Sequence, residues 1–490
     1  MRLWTTRKWD DILCGHFFRG SPRLKRRFLI GLALVLPGLP GLADTVPYGS
    51  TYQARPGPAT LIRNAVVLDG TGRRLDGADV LMRDGKVVAV GPGLDATGAT
   101  VVDARGRWVT PGLVDVHSHL GVYSSPGVNA SQDGNEATDP VTAGVWAEHS
   151  VWPQDPGFQT ALEGGVTTLQ VLPGSANLIG GRGVTLRNVH STTYQAMKFP
   201  GAPQGLKMAC GENPKRVYGS HDRAPSTRMG NVAGYRQAFA DAQDYRNQWN
   251  KYDDERAAYE KQEGKARGKD KDAKPPVPPK RDLRLETLVA AMNGEVQVHV
   301  HCYRSDEMAV MLDLAKEFGF KIAAFHHGVE AYKLSDRLAT EGVCGALWAD
   351  WWGFKMEAYD AIWENLAFVD APKNGCAIVH SDSDEGIQRL NQEAAKSMVR
   401  GERAGLAIPP ERAVRWITSN PARALGIADK VGTLEPGKIA DVVVWNGNPF
   451  SVYALPDLVY VDGAVAYDRK APPSLPRSDF LLGQPAGGAR

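Results

Sequence analysis

Thr110-Pro111-Gly112-Leu113-Val114-Asp115-Val116-His117-Ser118-His119 is an apolar run that begins at a Pro-Gly break and ends in two histidines two residues apart. Side chains two apart on a strand share a face, so a short strand here aims both imidazoles the same way. Together they can hold one metal ion from the end of a single strand. Such an ion chiefly makes hydroxide at neutral pH, so hydrolytic chemistry is the expectation if a metal binds.

The chain changes character on either side of this run. Upstream, Thr60–Leu68, Asp79–Met82 and Lys86–Val90 are β-rich and separated by Gly and Asp turns, which signals hairpins. Downstream, apolar strands alternate with helical stretches, among them Ser305–Phe318 and Tyr332–Thr340, in the βα pattern of a parallel sheet. After Ala422 the β-rich character returns with Ala440–Trp445 and Leu458–Val461. This order predicts an α/β protein: a (β/α)8 TIM-type barrel over 111–424, with a small composite β-sandwich built from 44–110 and 425–490. Within the barrel, 241–282 reads as a charged, solvent-exposed helix followed by the stiff Pro275-Pro276-Val277-Pro278-Pro279 linker.

At 490 residues the chain exceeds one simple core. Its net charge of +2 gives no reason to expect a nucleic-acid partner. Basic residues from Arg2 to Arg27 precede the apolar run Phe28–Leu36 and a small-residue ending at Ala43. That is the pattern of a secretory signal over 1–43, and the run is too short and too broken by Pro and Gly for a stable membrane anchor. An exported, periplasmic protein is expected. Cys210, Cys302, Cys344 and Cys376 lie in or near apolar runs without regular spacing, so buried free thiols are expected rather than a disulfide framework.

Three further apolar runs end in histidine: Glu295-Val296-Gln297-Val298-His299-Val300-His301, Lys321-Ile322-Ala323-Ala324-Phe325-His326-His327, and Cys376-Ala377-Ile378-Val379-His380-Ser381-Asp382. Barrel enzymes keep their catalytic groups at such strand ends. Four ends carrying His, one with a following Asp, suit Zn2+ or a similar divalent ion.

The chain resembles the amidohydrolase superfamily, nearest to its imidazolonepropionase-like and prolidase-like branches. The match rests on Pro111–His119, Ala161–Thr168, Ser419-Asn420-Pro421-Ala422 and Val431–Asp441. The resemblance implies metal ligands His117 and His119 from strand one, His301 from strand five and His327 from strand six, with Asp382 from strand eight. Neighbours on a strand face opposite ways, so only one of His326 and His327 should reach the metal. His299 and His380 are then deeper partners or packed core. Two residues compete for strand four: Lys207, placed like the carboxylated lysine of prolidase-like relatives, and Glu212 just past the strand end. If Lys207 is the ligand, Glu212 binds substrate or fixes its loop.

The implied reaction is hydrolysis of an amide or peptide C–N bond in a small molecule, with one or two divalent ions, Zn2+ expected. Asp382 takes the proton of the attacking hydroxide and passes it to the leaving amine. Arg304, or Arg182 in the Gly-rich loop Asn177–Gly183, could pair with a substrate carboxylate; each could equally form a structural salt bridge. That loop lacks the Lys-Ser/Thr ending of a phosphate-binding loop. A cyclic-amide hydrolase, a ring deaminase and a non-catalytic binding protein on the same barrel are the other readings. A homo-oligomer is compatible with all of them.

Overall fold

A computed structural model describes residues 48–265 and 274–471. The chain divides into Met1–Pro47 and Tyr48–Arg490, and all described residues belong to the second unit. The expected signal segment, part of the charged insertion and the last residues of the tail lie outside them. No helix among the described residues is long and apolar enough to cross a membrane.

Both chain ends do meet in one sheet. It joins β1 (Thr60–Leu68), β2 (Arg74–Arg83), β3 (Lys86–Gly91), β4 (Thr100–Asp103) and β5 (Trp108–Pro111) to three C-terminal strands described below. The expected hairpins form: β2 and β3 are antiparallel around Asp84-Gly85, both at positive φ, the conformation a tight two-residue hairpin turn requires.

Gly112 then leads straight from β5 into the barrel. Its strands are β6 (Leu113–Ser118), β7 (Val166–Val171), β8 (Ile179–Arg187), β9 (Gly205–Ala209), β10 (Gln297–His301), β11 (Ile322–His326), β12 (Cys344–Leu347) and β13 (Ala377–Val379). They lie side by side in chain order as one eight-stranded sheet. β14 (Val442–Trp445), β15 (Pro456–Val461) and β16 (Ala464–Asp468) complete the composite sheet, β14 pairing antiparallel with β5 from Pro111 to Trp108. Pairing runs through all eight strands of that composite as a single sheet. Arg187, on β8 and 1% exposed, fixes it to the barrel through Asp441 and Asp462.

Three features depart from the sequence reading. First, β8 runs antiparallel to both β7 and β9, so the barrel is not uniformly parallel. The link 172–178 is too short for a crossover helix, which needs about a dozen residues or more, and the chain turns back instead. The segment expected as a Gly-rich loop is the start of this strand. A Cβ on Gly181 would lie 2.4 Å from the Val145 carbonyl oxygen and one on Gly183 2.5 Å from the Leu172 side chain, so glycine here serves close packing.

Second, the thiols are paired. Cys210 and Cys302 form one disulfide and Cys344 and Cys376 another, with Cα–Cα distances of 5.1 and 4.6 Å. The cause is register. Ala209 lies opposite His301 in the β9–β10 ladder, placing the next residues, Cys210 and Cys302, face to face. Gly345 lies opposite Ala377, which does the same for Cys344 and Cys376.

Third, the charged insertion is part of a helix that begins earlier. Outside the barrel lie α1 (Pro156–Glu163), α2 (Glu212–Gly219), α3 (Arg228–Lys265), α4 (Leu283–Met292), α5 (Ser305–Phe318), α6 (Ser335–Glu341), α7 (Asn365–Asp370) and α8 (Leu390–Arg403). Tyr235, Phe239, Ala242 and Tyr245 of α3 are buried, and Phe239 stacks 4.5 Å from Phe320. Ala242 and Tyr245 therefore anchor the start of the insertion through one face of the helix, while Asp241, Gln243 and Asp244 stay exposed.

Candidate metal centre

The barrel strands are buried on both faces, which leaves their C-terminal ends as the place for polar groups. Six histidines gather there: His117, His299, His301, His326, His327 and His380, each at most 2% exposed. His119, just past β6, has its side chain 14% exposed. The expected one-face placement of His117 and His119 holds, with their Nε2 atoms 3.3 Å apart. Asp382 Oδ1 lies 3.3 Å from His117 Nε2 and 3.0 Å from His119 Nε2.

Lys207, on β9, places Nζ 3.3 Å from His117 Nε2 and 2.9 Å from the Pro173 carbonyl oxygen. Burial lowers its pKa to about 8. Glu212, its competitor, starts α2 and turns toward Lys355, with its carboxylate 3.6 Å from that ammonium. The structure thus brings Lys207 into the histidine cluster and holds Glu212 at its edge.

His301 and His327 close the other side. Their rings are 4.9 Å apart, and His327 Nε2 lies 3.9 Å from Asp382 Oδ2. His327 turns Nε2 toward Asp382, whereas both nitrogens of His326 are engaged by His117 Nδ1 and His299 Nδ1. His326 is the last residue of β11, and His327 follows it at φ 58°. A left-handed residue breaks the alternation of the strand, so both rings come within 4.7 Å of the His117 ring. Asp382 is also left-handed, at φ 57°. Such conformations persist only where the surroundings enforce them, and they cluster at functional sites.

Hydrogen bonds set the ring orientations. His119 Nδ1 donates to the Leu172 carbonyl at 2.8 Å, which leaves Nε2 as the lone-pair nitrogen. His117 Nδ1 lies 2.9 Å from His326 Nδ1, and His326 Nε2 lies 2.9 Å from His299 Nδ1. Asp115, buried two residues before His117, accepts from the backbone N–H groups of His117 and Ser381 and from the Ser381 hydroxyl. Asp382 N–H donates to the His117 carbonyl at 3.0 Å, so these contacts close the barrel between β6 and the end of β13.

Burial keeps all six rings neutral. It lowers His299 and His380 to about 3 and the other four well below the ordinary imidazole value, with neighbouring charges adding to the effect in every case but that of Asp382 on His380. Neutral imidazole is the metal-binding form. His301 Nδ1, His327 Nδ1 and both nitrogens of His380 are buried with no hydrogen-bond partner among the described residues. Among the described residues, two donor sets are compact enough for one ion: His117 with His119 and Asp382, and His117 with His327 and His380. Unpaired buried nitrogens beside a carboxylate fit a divalent transition ion.

The two arginines expected to meet a carboxylate are engaged elsewhere. Arg304 pairs with Asp306 and is 41% exposed, outside the cluster. Arg182 binds Thr287 and Gln204 at 2.9 and 2.8 Å. Each is the structural salt bridge or hydrogen-bond anchor rather than a group facing the centre.

Known proteins share this frame. The amidohydrolase family model matches residues 375–468. A crystal structure of an amidohydrolase from Thermotoga maritima is 34% identical, covers 84% of this chain and all of its own, and superposes with a TM-score of 0.71. The chain belongs to the amidohydrolase family. Amidohydrolase tasK of Hapsidospora irregularis is 32% identical over 455 residues, which are 84% of this chain and 43% of that protein. The chain thus spans under half the length of that curated relative. Imidazolonepropionase of Mesorhizobium japonicum is 23% identical over 75% of this chain and 86% of its own length.

Several residues of this amidohydrolase's site escaped the sequence reading. Asp115 was hidden inside an apolar run. Asn213, which lies 3.3 Å from His301 Nε2, follows Glu212 without a pattern to mark it. The Trp348 ring lies 4.2 Å from that of His327, tilted to it, and Lys355 sits in the same irregular connection between β12 and α7. Loops without periodicity carry no such signal.

Proposed function

We propose that this chain hydrolyses an amide or peptide C–N bond of a small molecule. The observation that carries this is the convergence on His117 Nε2, which lies 3.3 Å from each of His119 Nε2, Lys207 Nζ and Asp382 Oδ1, with Asp382 Oδ1 also 3.0 Å from His119 Nε2. His117, His119, His301 and His327 would hold one or two divalent ions, Zn2+ by donor chemistry, with Lys207 joining them as a carboxylated side chain. A bare ammonium there is disfavoured by burial, which supports modification of Lys207. Such an ion would supply an acidified water and a polarised substrate carbonyl.

The chain's own groups do the rest. Asp382 stands where it can take a proton from the attacking water and return it to the leaving nitrogen. The backbone N–H of Asp382 is tied to the His117 carbonyl, which fixes the carboxylate against the rings. Leu172 and Pro173 offer main-chain oxygens that orient His119 and Lys207.

A cyclic amide is the second reading, supported by the likeness to imidazolonepropionase. The test is a panel of N-acyl amino acids, dipeptides and cyclic amides, run before and after chelation with bound metal measured in parallel. Chelator-sensitive release of an amine or opening of a ring supports the proposal. A metal-loaded protein that turns over no member of the panel would favour a binding protein instead. Export is proposed alongside; the two disulfides support it, since such bonds persist mainly in oxidising compartments.

A further inference from the structure

The connection between β12 and α7 brings one cation to the edge of the histidine cluster. Lys355 has its side chain 17% exposed, and Nζ donates to Asn213 Oδ1 at 2.7 Å. Asn213 Nδ2 in turn lies 3.3 Å from His301 Nε2, so one residue separates Lys355 from a candidate ligand. An ammonium has three donors, and among the described residues Nζ makes this single hydrogen bond. Glu212 forms a long ion pair with it at 3.6 Å and leaves room for a closer anion. The other nearby carboxylate, Glu357, is taken up by Arg228 and by the backbone N–H of Glu212.

The surroundings of this cation are aromatic. Nζ lies 5.0 Å from the Tyr303 ring centroid and 5.7 Å from that of Phe354. Tyr303 and Phe354 each stand about 6 Å from Trp348, at 6.2 and 6.1 Å between centroids. Trp348 Nε1 is buried without a hydrogen-bond partner, while Phe354 is 64% exposed at the rim. Burial lowers the Lys355 pKa even with Glu212 and Glu357 nearby. A half-buried charge with spare donors is stabilised by an anion that completes it. Arg304 pairs with Asp306 at the surface and Arg182 binds Thr287 and Gln204, so Lys355 is the cation set among these rings.

We propose that Lys355 is a specificity-determining residue that holds a substrate carboxylate, while Tyr303, Trp348 and Phe354 receive an apolar side chain. The substrate class is then a carboxylate-bearing amide of an apolar amino acid, an N-acyl amino acid or dipeptide. This rests on the amide-hydrolysis reading above.

The test compares N-acetylphenylalanine with N-acetylphenylalaninamide on the metal-loaded full chain, in wild type, Lys355→Met and Lys355→Arg. Loss of a charge-assisted hydrogen bond predicts a fall of about 10- to 100-fold in kcat/KM for the carboxylate probe in Lys355→Met, mostly in KM. The carboxamide probe changes little, and Lys355→Arg restores part of the loss. Calorimetry with phenylalanine and phenylalaninamide reads binding without turnover, and the same selectivity should weaken in Lys355→Met. Equal effects on both probes, or unchanged carboxylate binding, would overturn the assignment. Lys355-dependent carboxylate binding without hydrolysis of any probe would uphold the anion site and defeat the amide-hydrolysis reading.

Discussion

His117 Nδ1 and His326 Nδ1 meet at 2.9 Å in a contact where neither ring is exposed. Only one of these nitrogens can carry the shared hydrogen. His117 Nε2 faces Asp382 and Lys207, so a metal-binding His117 keeps its hydrogen on Nδ1 and donates it to His326. His326 Nε2 then donates to His299 Nδ1, and three rings are held in one order of tautomers. His326→Phe removes the acceptor and should weaken metal binding by about 10- to 100-fold, with His326→Gln less affected. Competition with a chromogenic chelator measures this. Equal affinity in all three proteins would show that the chain of rings orients nothing.

Asp382→Asn keeps the shape of the side chain but cannot accept a proton. Turnover should drop by about 100- to 10,000-fold while the metal content of the purified protein stays near that of wild type. An active variant would remove Asp382 from the proton-transfer role.

Acid should destabilise the metal-free protein through its buried rings. His299 and His380 titrate near 3 when folded, because burial disfavours their charged forms. In the unfolded chain an imidazole titrates near about 6.5. Between these values the unfolded state binds protons that the folded state refuses. The stability these rings contribute is therefore full above about pH 6.5 and is lost progressively as pH falls toward 3. Melting curves of the metal-free protein should shift down steeply below pH 6. His380→Leu should flatten that dependence; a parallel profile would mean His380 does not stay neutral.

Arg187 is buried against Asp441 and Asp462, with Nη2 at 2.7 and 3.2 Å from them. Arg187→Met leaves two buried carboxylates without their cation, and the unfolding free energy should fall by about 3–5 kcal/mol. Urea titration reads the change. An unaltered midpoint would mean that the apolar packing of Val443, Trp445, Val459 and Val461 against the barrel suffices to hold the composite sheet to it.

Much of this site was legible because barrel strands are short and their ends are punctuated. His117 and His119 share a strand-face spacing, and His301, His327 and Asp382 stand at the ends of apolar runs, where the family resemblance set them apart from His299, His326 and His380. What stayed hidden depends on relations between strands. The opposition of Cys210 to Cys302 is a matter of register, and sequence spacing carries no register. His327 reaches the centre beside His326 through a backbone turn that no alternation rule contains. Glycine around Gly181 resembled a loop, although its cause is the approach of the Val145 carbonyl. Lys355 lies in irregular chain, where only the folded structure shows what it faces.

The reversed direction of β8 bears on how this enzyme could change its substrate. Because the chain turns back after β7, the rim beside His119 and Lys207 is only the span 172–178, and its carbonyls at Leu172 and Pro173 are committed to those two side chains. Lengthening or varying that span would disturb the centre itself. The connection from Trp348 to Glu364 reaches the histidines only through the Trp348 ring and, by way of Asn213, through Lys355. Libraries aimed at new substrates should therefore find tolerant positions in 351–363 outside Lys355 and Glu357, and nearly none in 172–178, an uneven freedom that a uniformly parallel barrel would not impose.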